Sequence, residues 1–429
     1  MNQYFVLLII SVFLFFSTCS KVQKNEKSLT VVNIEANVNN MKIVNLSQFT
    51  DDIQYIPLES NKNFPFTGIS QIDISGKYIL ISNMQNCLLF DSCGRLISKI
   101  GSNGRGPGEY LYVTNIGLSF NKDSNIYLSS LWDVFEYKIN GEFKNKYTKT
   151  LFINDDIYLK NWRLIDDSLF FGHVPNGSGQ VEYKAIIIDK LGSIMNKYKN
   201  YILFKRDHVI AGGFENYAHI YLFKKTVFYK ELFNDTLFSL SSKYELLPEY
   251  FFHLGSLKMP LPERAQSPFG EILWRYISVF DVFQTEEYLF LNCLFGYRFP
   301  AKRLTPSTKF PGVNPSWYNT TYILGIYNKK NRELIFCKPS DTDNPLYTSG
   351  IYNDIDCGPR FFPILMVNDS TMVMTVRADD LKAHVASNDF KNNNPKYPEK
   401  KKKLEQLADS ISMFDNPVIM MVTFKNKRD

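Results

Sequence analysis

The chain has 429 residues, 45% of them hydrophobic and 15% aromatic, including 26 Tyr and 35 Phe. Its net charge of +6 is dispersed except for the run Lys400 to Lys403, which argues against a nucleic-acid binder, whose basic residues gather on one element. No apolar run reaches the roughly 20 residues that a membrane-spanning helix needs, and the Tyr and Phe content favours pleated sheet.

Residues 5–16 are apolar except for Ser11. That stretch is too short to span a bilayer and suits the apolar core of a secretory signal, about 7–15 residues long. Ser17 and Thr18 then precede Cys19 and a polar tract. This arrangement resembles the lipobox of bacterial lipoproteins, with Phe16 where Leu is usual. The resemblance implies a signal peptide over residues 1–18, lipidation of Cys19, a flexible tether over 19–40 and an anchor in the outer membrane. An ordinary cleaved signal with a coincidental cysteine is the alternative. Neither face of the membrane is indicated, since no acidic run follows Cys19. The remaining cysteines are Cys87, Cys93, Cys293, Cys337 and Cys357, an odd number without a tight framework. CxxC and HxxxH spacings are absent, so neither a metal nor another cofactor is expected.

From residue 41 one pattern recurs: a short strand, a turn of Asp, Asn, Ser or Gly, then another strand. Strands are predicted over 69–74, 78–82, 87–91 and 95–100. A second set follows over 116–120, 125–129, 134–139 and 142–147, with Asn140-Gly141 as a hairpin turn whose positive φ angles suit those residues. Further copies span 162–198, 218–254 and 277–339, the last with an insertion over 297–318. A sixth begins near 351. Gly94, Gly141 and Gly192 each follow an apolar strand, at a spacing close to the ~40–50-residue period of propeller repeats. Four short antiparallel strands make one propeller blade. The expected fold is therefore all-β, a six-bladed β-propeller over 41–429, with seven blades as the alternative. A propeller must close its ring or leave unpaired edges. Residues 42–58 and 418–425 offer strands that would complete the last blade together. Between them, 379–415 breaks the pattern. Leu404, Leu407, Ala408, Ile411 and Phe414 recur at helical spacing, which predicts one amphipathic surface helix. The lysine run before it reads as a solvated face, with a membrane-surface patch as the alternative.

The segment Gly101-Ser102-Asn103-Gly104-Arg105-Gly106-Pro107-Gly108-Glu109-Tyr110 has the glycine content of a phosphate cradle. A cradle needs a helix directly after it. Here the next residues are aromatic and β-branched, so that reading fails. The segment resembles the Gly-rich link between blades of NHL-type propellers. It is closer still to the exported six-bladed β-propeller lipoproteins of anaerobic Gram-negative bacteria, which carry a Gly-Pro-Gly-Glu-Tyr loop after the first blade. Three further places carry that resemblance: Asn234-Asp235-Thr236-Leu237-Phe238; Asn353-Asp354-Ile355-Asp356 followed by Gly358 and Phe361-Phe362-Pro363; and Asp415-Asn416-Pro417-Val418. Cys357 stands where the family has Gly, and Phe362 where it has Trp.

Propellers present ligands at the mouth of the central channel, on loops held by the scaffold. Arg105, Glu109, Tyr110, Trp132 and Arg360 are the candidate ligand contacts. Arg105 and Glu109 have a bland alternative, stapling of their own loop, and the latter is favoured. Trp132, Trp162 and Trp317 suit sugar stacking, or else plain packing. His173, His208, His219, His253 and His384 are scattered, and no catalytic set can be placed from spacing alone. The acidic pairs Asp51-Asp52, Asp155-Asp156, Asp166-Asp167 and Asp379-Asp380 read as solvated turns. The leading expectation is a monomeric, non-catalytic binding module for a small molecule, glycan, peptide or envelope partner. A channel hydrolase or lyase and a plain scaffold are the alternatives.

Overall fold

A computed structural model describes residues 29–64, 66, 68–118, 125–154, 157–166, 168–206, 217–266, 273–296, 298, 321–339 and 349–425. The chain separates into two units, Met1–Thr30 and Val31–Asp429; the second is the propeller.

Six sheets, each built on four antiparallel strands, form its blades, and in five of them the four strands are consecutive in the chain. Blade I holds Gln71–Ser75, Tyr78–Ser82, Cys87–Asp91 and Leu96–Lys99. Blade II holds Asn115–Leu118, Ile126–Ser130, Asp133–Tyr137 and Phe143–Tyr147. Blade III runs from Trp162–Leu164 to Ile194–Lys199, and blade IV from Ala218–Phe223 to Leu246–His253. Blade V runs from Ser278–Gln284 to Leu334–Cys337. In each blade the first strand borders the central channel and the fourth lies towards the outside.

The blades are repeats in backbone detail. In blades I to IV a bulge interrupts the pairing of the third strand with the fourth. The turn that joins these strands is also shared. Its closing residue is Gly94, Gly141, Gly192, Tyr244 or Arg332 in blades I to V, and all five have positive φ. Glycine is required where space is short. A Cβ on Gly94 would lie 2.1 Å from the Pro57 carbonyl oxygen, and one on Gly141 would lie 2.6 Å from that of Lys99. These turns seat on the outer strand of the preceding blade, so the bend and the contact between blades are set together. Apolar side chains fill the spaces between neighbouring blades rather than one common core; Leu89, Ile116 and Leu128, for example, pack between blades I and II.

Blade VI closes the ring as expected. Its strands are Leu365–Met366, Thr371–Val376, Val418–Thr423 and, from the other end of the chain, Ile53–Pro57. The propeller starts earlier than residue 41, however. Thr30–Asn33 adds a fifth strand to blade IV, and Met41–Lys42 adds one to blade V. Val32 and Ile34 are fully buried. Residues 30–40, which the expected tether included, are therefore part of the folded body.

The segment before the closing strand carries three helices, Ala378–Ala386, Asn388–Asn392 and Pro398–Ser410. Leu404 and Ala408 bury the last of them, whereas Phe414 lies beyond its end and is exposed. Half of the lysine run is fastened down. Lys400 pairs with Asp52 at 2.7 Å, and Lys401 donates to the Phe390 and Asn393 carbonyl oxygens. Lys402 and Lys403 are exposed. The five cysteines after residue 19 are free thiols, and only Cys93 is exposed. Among the described residues no helix is long and apolar enough to cross a membrane.

Candidate functional site

The first strands of the six blades surround a cavity of about 340 Å³. Their sequences are short and mostly apolar, but in four of them one ionisable residue sits between apolar neighbours. These are Asp73 between Ile72 and Ile74, Arg163 between Trp162 and Leu164, His219 between Ala218 and Ile220, and Asp281 between Phe280 and Val282. All four line the cavity. In these four blades the first strand thus carries one ionisable side chain to the channel wall.

Asp73 and Arg163 pair across the strand of blade II. Arg163 Nη2 lies 3.4 Å from Asp73 Oδ1, and Asp73 Oδ2 accepts the Leu118 N–H at 2.8 Å. Arg163 Nε is buried and has no hydrogen-bond partner. Asn115 Nδ2 donates to the Trp162 carbonyl at 2.8 Å, and Trp162 Nε1 donates to Ser129 Oγ at 3.1 Å. Trp162 is therefore a buried part of the wall rather than an open platform.

His219 and Asp281 face this pair from blades IV and V. The imidazole stacks on Tyr221 and meets Phe283 edge-on, with ring centroids 5.1 and 4.7 Å away. Its Nδ1 accepts the Val282 N–H at 3.1 Å, so the ring proton of the neutral form belongs on Nε2. Burial pushes its pKa below the usual histidine value, aided by the charges of Arg163 and Lys230 and opposed by Asp281. Asp281 accepts hydrogen bonds from the Tyr217 hydroxyl and, at 3.3 Å, from Asn292 Nδ2. Burial, then the Asp281 charge, raises the Tyr217 pKa well above that of a free phenol, so Tyr217 stays a donor.

The five ligand contacts expected from sequence lie elsewhere. Arg105 is exposed on the Gly-rich link. Glu109 staples that link by accepting the Gly106 N–H at 2.7 Å. Ser102–Asn103 and Glu109–Tyr110 pair as two short parallel strands. Tyr110 is buried between blades I and II, and its hydroxyl donates to the Ile100 carbonyl at 3.1 Å; a ring so enclosed cannot touch a ligand. Trp132 packs against Phe152 and Tyr158 at the surface, with Lys160 over its ring. Arg360 lies over Tyr352 and donates to the Lys338 carbonyl. None of the five lines the channel.

The remaining histidines are also apart. His173 is buried against the Tyr229 hydroxyl, His253 sits beside Glu35, and His384 contacts the Cys357 carbonyl. Cys19, Asp155, Asp156, Asp167, His208 and Trp317 lie outside the described residues, as does nearly all of the insertion expected over 297–318. Among the described residues no group of three or more His, Cys, Asp or Glu could hold a metal ion.

The closed ring with its polar channel defines the class, a six-bladed β-propeller. A family model described as a domain of unknown function, DUF4934, matches residues 29–423. The chain belongs to that family. A crystal structure of a protein designated as exported, from Bacteroides fragilis, is similar over 92% of this chain and 100% of its own, with a TM-score of 0.64 and 17% identity. A member of the DUF4221 family from Bacteroides vulgatus is similar over 88% of this chain and 97% of its own, with a TM-score of 0.48 and 12% identity. Virginiamycin B lyase from Staphylococcus aureus is similar over 68% and 76% of the two chains, with a TM-score of 0.36 and 12% identity. No protein with a curated description matches the sequence. The Bacteroides fragilis likeness supports the fold, and fold alone does not assign an activity.

Proposed function

We propose that the protein is an exported lipoprotein, held at the outer membrane through Cys19, whose propeller binds a small polar molecule in its central channel. The channel cavity carries this reading. Its volume of about 340 Å³ falls in the range of small-molecule sites, roughly 300–1,000 Å³. Its wall presents fixed polar groups on rigid strands rather than on loops, so little ordering is lost when a ligand enters.

The arrangement of His219 favours binding over hydrolysis. In a Ser-His-Asp site the carboxylate accepts the Nδ1 proton and leaves Nε2 as the base. Here Nδ1 accepts a backbone N–H, so Asp281 does not orient the ring for that task. Native mass spectrometry of the full-length protein, purified from membranes in mild detergent, tests the reading. A co-purified species of defined mass, released on unfolding, is expected. A clean and empty protein that also fails to bind a panel of small polar molecules would favour a scaffold instead. Labelling with radioactive palmitate, lost in Cys19→Ser, tests the anchor separately.

A further inference from the structure

We infer that the channel ligand carries a primary ammonium group, held by the Asp281 carboxylate; this rests on the channel being a binding site. Of the charged side chains on the wall, Asp73 and Arg163 offset one another. Among the described residues Asp281 has no such partner. Its two oxygens receive only neutral donors, Tyr217 and Asn292. His219 Nδ1 lies 3.8 Å from Asp281 Oδ1, but that nitrogen presents a lone pair, because it already accepts the Val282 N–H. Lys230, behind the wall, donates to the Val279 and Glu231 carbonyl oxygens. Among the described residues Asp281 therefore has no fixed counter-charge within ion-pair distance, although only 19% of its side chain is exposed.

A carboxylate withdrawn from water without a partner is unfavourable, and a cation brought to it offsets that cost. The cation should be organic. Among the described residues the wall lacks the cluster of ligating side chains that a metal requires, and Ile220, Ile364 and Leu365 offer aliphatic surface to a hydrocarbon body. An ammonium group also brings three donors to the carboxylate oxygens and neighbouring carbonyls.

Calorimetric titration of the full-length protein in detergent at pH 7 tests this with four probes: n-butylammonium, n-butanol, butyrate and methyl glucoside. We expect n-butylammonium to bind at least about tenfold more tightly than n-butanol, which has nearly the same shape without the charge. Asp281→Asn should remove that preference. Equal binding of n-butanol, or tighter binding of butyrate or methyl glucoside, overturns the ammonium assignment and leaves the binding channel intact. Unchanged n-butylammonium affinity in Asp281→Asn overturns it as well. If none of the four binds, the channel reading fails too. Should the variant not fold, the comparison of charged and neutral probes on the native protein decides alone.

Discussion

The closing blade and the central channel are built on opposite plans. Blade VI joins the two ends of the chain, and it is crowded with polar side chains whose work is structural. Asp356 accepts from the Gly358 N–H at 2.8 Å, from Asn353 Nδ2 at 2.6 Å and from the Tyr55 hydroxyl at 3.3 Å. Asp354 holds both the N–H and the hydroxyl of Ser47. Asn416 donates to Ser60 and to the Glu59 carbonyl. The channel instead holds four ionisable side chains that are only partly matched with one another. In blade VI these polar groups fasten segments from the two ends of the chain to one another. In the channel some capacity is left over, and unspent polar capacity in an enclosed space is what a ligand can use.

The largest effect should come from breaking the closure. Ending the chain at Pro417 removes the strand that carries Val418, Ile419, Met420 and Val422, all fully buried. At about 1.5–3 kcal/mol for each side chain, their burial is comparable to the whole net stability of a typical domain, about 5–15 kcal/mol. Loss of cooperative thermal unfolding, followed by circular dichroism, is expected.

Asp356→Ala comes next. It removes the acceptor of three hydrogen bonds and leaves the buried Gly358 N–H without that partner, and a loss of about 3 kcal/mol in denaturant unfolding is expected. Burial raises the Asp356 pKa above its ordinary value, although the hydrogen bonds from Gly358, Asn353 and Tyr55 oppose this. The folded state therefore holds this proton to higher pH than the unfolded chain does. This group's contribution should fall as pH rises from the usual aspartate value through the raised one. Asp356→Asn, which cannot titrate, should flatten that part of the stability–pH curve.

The channel should give a smaller response. Arg163→Met removes one member of a pair that is 3.4 Å long and retains some exposure, so a loss of about 1–2 kcal/mol is expected, below that of a tightly bonded buried pair. A loss as large as that of Asp356→Ala would erase the contrast between the two regions.

Cys357 sharpens the comparison within blade VI itself. Its backbone adopts the left-handed conformation, with φ of +60°. Cys357→Val should cost about 2 kcal/mol, because a β-branched residue is strained there. Cys357→Gly should stay within about 1 kcal/mol of the native protein, relief of strain being offset by the freer unfolded chain. Differential scanning calorimetry would separate the two.

The smallest effect concerns Asp51. Hydrogen bonds from Lys425, then Lys396, lower its pKa to about 2. Its stabilising contribution is complete above the ordinary aspartate value and lost as pH falls through about 2. The cluster is half exposed, so Asp51→Asn should cost less than about 1 kcal/mol at neutral pH, and that difference should vanish in strong acid.

The sequence by itself determined the architecture. Alternating strands, turn residues and the spacing of Gly94, Gly141 and Gly192 are local signals, and they recur because each blade solves the same packing problem. Where the signal was weaker the structure supplied it: Tyr244 and Arg332 adopt the same turn conformation without being glycine. The motifs at 101–110, 353–358 and 415–418 were visible because they make tight local geometry, and they proved to be fastenings. The ligand contacts expected on and near them do not line the channel. The channel residues left only a faint trace, a single ionisable residue inside an apolar first strand in four blades. Asp73, Arg163, His219 and Asp281 are scattered over more than 200 positions, and no local pattern says that they share one space. Only ring closure brings the first strands together around an axis, and so only the tertiary structure decides which of these charges meet.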